Sequence, residues 1–310
     1  MTSHVLDHVA FVFPGQGSQH VGMGHDLYAA EPAVSALFAE ADERLGYPLS
    51  RIVLEGPEDA LRQTMHTQPA LLLISTAFVR ALGLRPAVVA GHSLGEYSAL
   101  VAAGSLSFQD AIRLVHKRGR YMQEAVPPGR GTMLALIGAD SEQVRAAIAA
   151  VDGPVDIANY NAPGQIVIAG EADATRAAAA RAGARQIIEL AVSAPFHCRL
   201  MQPAEERLSV DLDRVPFADL EVPLYTNVDA RCVRRGSDAR DGLKRQVSRP
   251  VLWTQVIERM VADEHIRTIV EIGPGAVLAG LIRRIDRSVR RLGIHDCATL
   301  ASVRTELTAA

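Results

Sequence analysis

The chain has 310 residues, 48% of them hydrophobic and 22% charged, with a formal net charge of -3. This is enough apolar material for one large domain or two unequal ones, and the absence of a basic excess argues against nucleic acid as a partner. No stretch reaches the roughly 18 apolar residues of a membrane span and no basic segment leads into one, so a soluble, cytoplasmic protein without membrane association is expected.

In chain order, VAFVF (9–13) reads as a buried strand that runs into PGQGSQ, a glycine-rich turn. Apolar residues fall at helical spacing from Asp26 to Leu45 and again from Gln68 to Leu82, where Pro69 suits a first helical turn. PAVVAG (86–91) is a short strand-like run, and after Ser93 the segment LGEYSALVAAG has helical composition and stops at Gly104. A second helix spans 107–126, with Ser107 three residues before Asp110 as an acidic capping box and Pro127, Pro128 and Gly129 as its stop. TMLALIG (132–138) then reads as strand, SEQVRAAIAAV as helix, VDIANYN and QIVIAG as strands around Pro163 and Gly164, 171–182 as helix and ARQIIEL (184–190) as strand. That order is the split βαβ pattern of a ferredoxin-like unit. It looks inserted, because alternation typical of an α/β sheet resumes with helix 199–213, strand 222–228, helix 251–262, strand 267–273 and helix 276–286.

Two kinds of residue set the chemistry that is available. Cys198, Cys232 and Cys297 are odd in number and far apart, which argues for reduced thiols and against both a disulfide framework and a zinc cluster. His4 and His8 have no acidic or cysteine cluster beside them, so no metal site is expected. GHSLG (91–95) places Ser93 between two glycines on a strand-to-helix turn, the context of a nucleophile elbow. A serine hydroxyl needs a base within reach. His92 adjoins Ser93, but neighbours on a turn point apart, so it is expected to pack behind the elbow. His116 lies among Lys117, Arg118 and Arg120 on what reads as a solvated face, and His66, His265 and His295 converge on nothing. His197, in SAPFHC, follows a predicted strand at the border of the inserted unit, where ligand sites often form. More than a hundred residues follow it, whereas in the common hydrolase order the histidine comes late. The third group need not be an acid: a backbone carbonyl can hold the imidazole, and a Ser–His dyad suffices.

Seven motifs in order, FVFPGQGSQHVGMG, TQPALLLIS, GHSLGEYSALVAAG, LVHKRGRYMQEAVPPGRGTM, NYNAPGQIVIAG, APFHCRLM and EIGPGAVLAGL, make the chain resemble the malonyl-CoA:acyl carrier protein transacylase family from about residue 8 to 291. The resemblance implies a large α/β-hydrolase-like subdomain (1–128 and 199–310) with an inserted ferredoxin-like α+β subdomain (129–198) covering the site. By the same resemblance Ser93 is the nucleophile, His197 the base, and the backbone carbonyl of Gln246 the support of the imidazole. The amides of Gln16 and Leu94 form the oxyanion hole, and Arg118 pairs with the free carboxylate of a malonyl group. Phe196 before the histidine accompanies selection of malonyl over branched units. No bound cofactor is implied: malonyl-CoA is the donor and the phosphopantetheine thiol of an acyl carrier protein the acceptor. Family carriers are acidic, and LIRRIDRSVRRLG (281–293), taken at helical spacing, offers Arg283, Arg284 and Arg287 as a docking face, with Arg290 and Arg291 beyond. A monomer is expected. Two alternatives stay open: an acyl hydrolase clearing stalled carriers on the same scaffold, and a non-catalytic docking subunit. The motifs do not separate fatty acid from polyketide use.

Overall fold

The computed structural model describes residues 5–309; His4 lies outside them. Ten strands occur among the described residues: β1 Val5–Phe13, β2 Arg85–Gly91, β3 Gly131–Ile137, β4 Val155–Ala162, β5 Gln165–Glu171, β6 Gln186–Glu189, β7 Leu224–Tyr225, β8 Cys232–Val233, β9 Thr268–Ile272 and β10 Arg290–Ile294. Six form one sheet in the order β10-β9-β1-β2-β7-β8, parallel except for the last pair. Burial on both faces explains why residues 9–13 of β1 are a continuous apolar run without polar alternation. Phe11 and Phe13 point into a core with Leu71, Phe78, Leu100 and Ile112, while Ala10 and Val12 meet Trp253, Ile257, Met260 and Ile282 on the other side.

The other four strands form an antiparallel sheet, β4-β5-β3-β6. With helices Ser141–Ala149 and Ala172–Arg181 this is the ferredoxin-like connectivity, so the chain is an α/β protein of two subdomains. Alternation along β3 and β5 explains the layering. Leu134, Leu136, Ile166 and Ile168 pack under the two helices, whereas Met133, Ala135, Val167 and Ala169 face the core of the large subdomain. The edge of β4 is also stitched to the large subdomain, because Tyr160 N–H donates to Val251 O and Val251 N–H to Ala158 O, both at 2.9 Å.

Several elements differ from the sequence expectation, each for a local reason. The run from Asp26 to Leu45 is two helices, His25–Ala30 and Pro32–Leu45, because Pro32 pushes Glu31 into extended backbone. Pro69 is not in a first turn; it lies inside helix Thr64–Leu82. A proline there leaves the carbonyl four residues back without its helical donor, and that carbonyl, Met65 O, is met at 3.1 Å by Nδ1 of His116. His116 is thus half-buried and tied down, not solvated. The strand expected over 222–228 is only two residues long, and 199–213 begins with a 3-10 turn before helix Gln202–Asp213. The Ser107 cap does form: its Oγ accepts the Asp110 N–H at 3.1 Å at the head of helix Phe108–Glu124.

The arginine-rich stretch 281–293 is not a single helix. Helix Val277–Ile285 stops where Asp286 turns extended and its carboxylate accepts the Ser288 N–H and hydroxyl, and 290–294 becomes the edge strand β10 beside β9. Arg283 and Arg284 are exposed in the last helical turn, Arg287 lies in the turn beyond, and Arg290 is on the strand, paired with Glu306 at 2.7 Å. The common helical face expected for Arg283, Arg284 and Arg287 is therefore absent. Among the described residues no helix is long and apolar enough to cross a membrane.

Candidate active site

The turn after β2 is strained in the manner its sequence requires. Ser93 has φ 53°, in the left-handed region that side chains other than glycine rarely adopt. A Cβ on Gly91 would lie 1.9 Å from the carbonyl carbon of Gly95, and one on Gly95 would lie 2.1 Å from Phe13 O. Both glycines are demanded by close backbone approach. Asn227, just after β7, holds the turn from beside: Ser93 N–H donates to its Oδ1 at 2.7 Å, and its Nδ2 donates to Gly91 O at 2.6 Å. His92 lies behind the elbow, with Nε2 2.8 Å from Asn161 Oδ1 and its ring edge-on to Trp253.

His197 arrives from a residue 104 positions away, also in the left-handed region at φ 57°. Its Nε2 is 2.7 Å from Ser93 Oγ, and its Nδ1 is 2.8 Å from the backbone carbonyl of Gln246, the last residue of helix Gly236–Gln246. A carbonyl can only accept, so Nδ1 carries the proton and Nε2 presents its lone pair to the serine hydroxyl. Burial first, and the Arg118 charge second, push the imidazole pKa down from 6.5 to about 3. The free enzyme therefore holds a neutral base. This sets an expected result: kcat/KM for acylation, which reports the free enzyme, stays level as pH falls through 6.5. Half-loss of the rate near that pH would contradict it. The stability sign follows from the same depression. The unfolded chain binds a proton at 6.5 that the native state refuses, so this group's contribution declines as pH drops from 6.5 towards 3.

Arg118 is 1% exposed. Helix Phe108–Glu124 carries it and crosses helix Thr64–Leu82 at Gly119, where a Cβ would sit 2.5 Å from Thr64 O. Its Nη1 donates to Gln68 Oε1 at 2.8 Å, and its Nη2 donates to Gln246 Oε1 at 2.9 Å and to Ser93 Oγ at 3.2 Å. The guanidinium also lies 5.7 Å from the centroid of the Tyr97 ring. A fully buried cation within reach of the serine can receive a small carboxylate attached to that oxygen.

The PGQG loop after β1 stacks on the elbow, since His92 N–H donates to Phe13 O at 3.0 Å and a Cβ on Gly15 would be 2.6 Å from His92 O. Among the hydrogen bonds of the described residues none is donated by the Gln16 or Leu94 amide. The Gln16 side chain donates to Thr64 Oγ1 at 3.3 Å, and Thr64 Oγ1 is 2.9 Å from Ser193 Oγ. Phe196 is buried in the large core next to the histidine. Cys198 is buried as well, its thiol pushed up to about 12 by burial, and is inert. A cavity of about 540 Å³ at the subdomain junction, lined in part by Tyr160, Arg199, Ser248 and Pro250, reaches His197. Among the described residues no three His, Cys, Asp or Glu side chains group as metal ligands.

The structure thus brings Ser93, His197, Gln246, Gln16, Leu94, Arg118 and Phe196 into one region and leaves Arg283, Arg284 and Arg287 on the surface elsewhere. It adds residues that sequence reasoning missed: Gln68, Glu96, Asn161 and Asn227. Gln68, Glu96 and Asn161 sit inside quoted motifs, but nothing in their spacing marks them as polar groups of a site. Glu96 is 0% exposed, and burial pushes its carboxyl up to about 7 against the lowering effect of Gln246, the Asn227 N–H and Arg118.

Fold and site together define the class: a serine-centred acyltransferase of two subdomains. The chain belongs to the acyl transferase domain family, which it matches over residues 10–309. It is 46% identical over 302 residues to a malonyl CoA-acyl carrier protein transacylase of Escherichia coli K12, with 94% of this chain and 97% of the relative covered. To the protein of the same name from Bacillus subtilis it is 44% identical over 304 residues, covering 95% and 96%. Among solved structures, a chain of a complex between a malonyl-transacylase and a type II PKS acyl-carrier protein superposes with a TM-score of 0.93 at 44% identity, covering 97% of this chain and 100% of that one. An acyl carrier protein S-malonyltransferase from Vibrio cholerae gives 0.92 at 45% identity, covering 96% and 100%.

Proposed function

We propose that the protein transfers a malonyl group from malonyl-CoA to the phosphopantetheine thiol of an acyl carrier protein, through an ester on Ser93. The observation that carries this reading is the buried Arg118 guanidinium 3.2 Å from Ser93 Oγ, in a family whose curated relatives are named for that reaction. In the first half, Ser93 Oγ attacks the thioester carbon as its proton passes to His197 Nε2. The carbonyl oxygen becomes an oxyanion between the Gln16 and Leu94 amides, in a hole where one donor is typically worth about a hundredfold in rate. Collapse breaks the carbon–sulfur bond, and the imidazolium returns its proton to the departing thiolate of coenzyme A. In the second half the carrier thiol loses its proton to His197 and attacks the ester, and Ser93 leaves with that proton restored.

Throughout, Arg118 holds the distal carboxylate in two parallel hydrogen bonds, which a neutral acetyl group cannot use. Phe196 takes the space that an α-methyl needs, a preference worth about 1 to 3 kcal/mol. The small subdomain, over 129–198, covers the ester and limits water. Among the arginines proposed for carrier docking, Arg284 reaches Gln165 at the head of β5 at 2.7 Å and so spans both subdomains, while Arg283 and Arg287 stand exposed nearby. No resident cofactor takes part in these steps.

The test is direct. Mixing the protein with malonyl-CoA should add one malonyl mass to the peptide that contains Ser93, and adding holo carrier protein should discharge it to the carrier. Loss of malonate to water equally fast without carrier would instead identify a hydrolase, and absence of any adduct a non-catalytic subunit.

A further inference from the structure

Two carboxamide oxygens pin the Arg118 fork: Gln68 Oε1 takes Nη1 and Gln246 Oε1 takes Nη2. The orientation of the Gln246 amide decides whether that second contact exists. Turned the other way, the amide would oppose its NH2 to a guanidinium that can only donate. What holds it in place lies on the far side, where Gln246 Nε2 donates to Glu96 Oε2 at 2.7 Å and to Ser93 O at 3.0 Å. Glu96 is three residues after the nucleophile, in helix Gly95–Ala102, and is fully buried. The same Oε2 accepts the Asn227 N–H at 3.1 Å, and Asn227 is the residue that holds the elbow. Oε1 of Glu96 has no hydrogen-bond partner among the described residues.

We infer that Glu96 is a positioning residue for acyl-group selection: through the Gln246 side chain it sets the Arg118 guanidinium at the height above Ser93 at which a malonyl carboxylate is met. This rests on the proposed malonyl reading. It also gives Gln246 a second role, since its backbone carbonyl serves His197 while its side chain serves Arg118. Glu96 touches no substrate atom; it acts at one remove. Only one of its oxygens is used, and that oxygen accepts both hydrogen bonds, so a neutral side chain with one well-placed oxygen would do the same work.

The readout is the ratio of Ser93 acylation rates with malonyl-CoA and acetyl-CoA, followed by mass spectrometry of the intact protein. Glu96→Ala should lower this malonyl-to-acetyl ratio by about tenfold, the loss of roughly one hydrogen bond to a charged group. Most of the change should appear in KM for malonyl-CoA. Glu96→Gln keeps the accepting oxygen and should restore the ratio to within about threefold of the unmodified protein. Equal loss with both acyl donors, an unchanged ratio in the alanine variant, or a glutamine variant as defective as alanine would each overturn the inference. Should Glu96→Ala not fold, Gln246→Met removes the amide, keeps the volume and the backbone carbonyl, and must lower the ratio in the same way; an unchanged ratio there rejects the inference equally. The unmodified protein separates the two levels of the claim. If it fails to take up malonyl at all, the proposed function fails; if it takes up malonyl and the variants keep its ratio, only the role of Glu96 fails.

Discussion

Ser93→Ala is expected to leave no acyl-enzyme, with malonyl-CoA or any other thioester, and transfer to the carrier should fall by at least about 10⁴-fold, as for other enzymes stripped of a serine nucleophile. The geometry makes this a clean substitution. Removing Oγ deletes the contacts to His197 Nε2 and Arg118 Nη2, but the elbow is held by backbone groups through Asn227 and by the bare Cα atoms of Gly91 and Gly95. The fold should survive with an unchanged unfolding midpoint, so the loss reads as chemistry. His92, which faces Asn161 and Trp253, cannot take over. A persistent covalent adduct on the alanine protein would show that another residue is the nucleophile.

Arg118→Ala has the second largest effect, and it falls on one substrate. Truncating one partner of a buried charge pair costs about 2 to 5 kcal/mol, so acylation by malonyl-CoA should drop by roughly 30-fold or more at 1.4 kcal/mol per decade. Acetyl-CoA loses nothing it was using. It should react as fast or faster, because the Arg118 charge is the second cause of the depressed His197 pKa, and removing that charge makes the imidazole a stronger base. Arg118→Lys should not restore malonyl transfer, since an ammonium cannot span both Gln68 Oε1 and Gln246 Oε1 while meeting a carboxylate. Rates measured with both donors decide the matter. An equal fall for malonyl and acetyl would reject the carboxylate role.

The parts of the fold that were legible in the sequence are those where local constraint dominates. β1 and β2 read as continuous apolar runs because both faces are buried, and the small unit read as βαββαβ because its strands and helices alternate at short range. Misreadings came where a distant partner overrides local spacing. Pro69 continues a helix because His116 lies against the carbonyl it orphans. The helix expected over 276–286 forms, but the helical spacing assumed for the arginines beyond it gives way to a turn and a strand because β9 offers an edge to pair with. Periodicity carries no record of either partner.

For the site, GHSLG by itself determined the elbow. A serine between glycines after a buried strand leaves the backbone few other courses, and each Cβ that glycine omits would collide with main chain. Its place at the border of the inserted unit singled out His197, and the family motifs supplied Arg118 and the glutamine loop, but neither gave their contacts. Only the tertiary structure decided that a histidine 104 residues from the serine lies 2.7 Å from it. It also decided that Gln246 serves the site with its side chain as well as its carbonyl, and that a buried glutamate three residues after the nucleophile stands behind the arginine. The physical reason is the same in each case. A hydrogen bond between residues far apart in the chain depends on how helices and loops pack in three dimensions, and one-dimensional spacing constrains that packing only where neighbours in sequence are also neighbours in space.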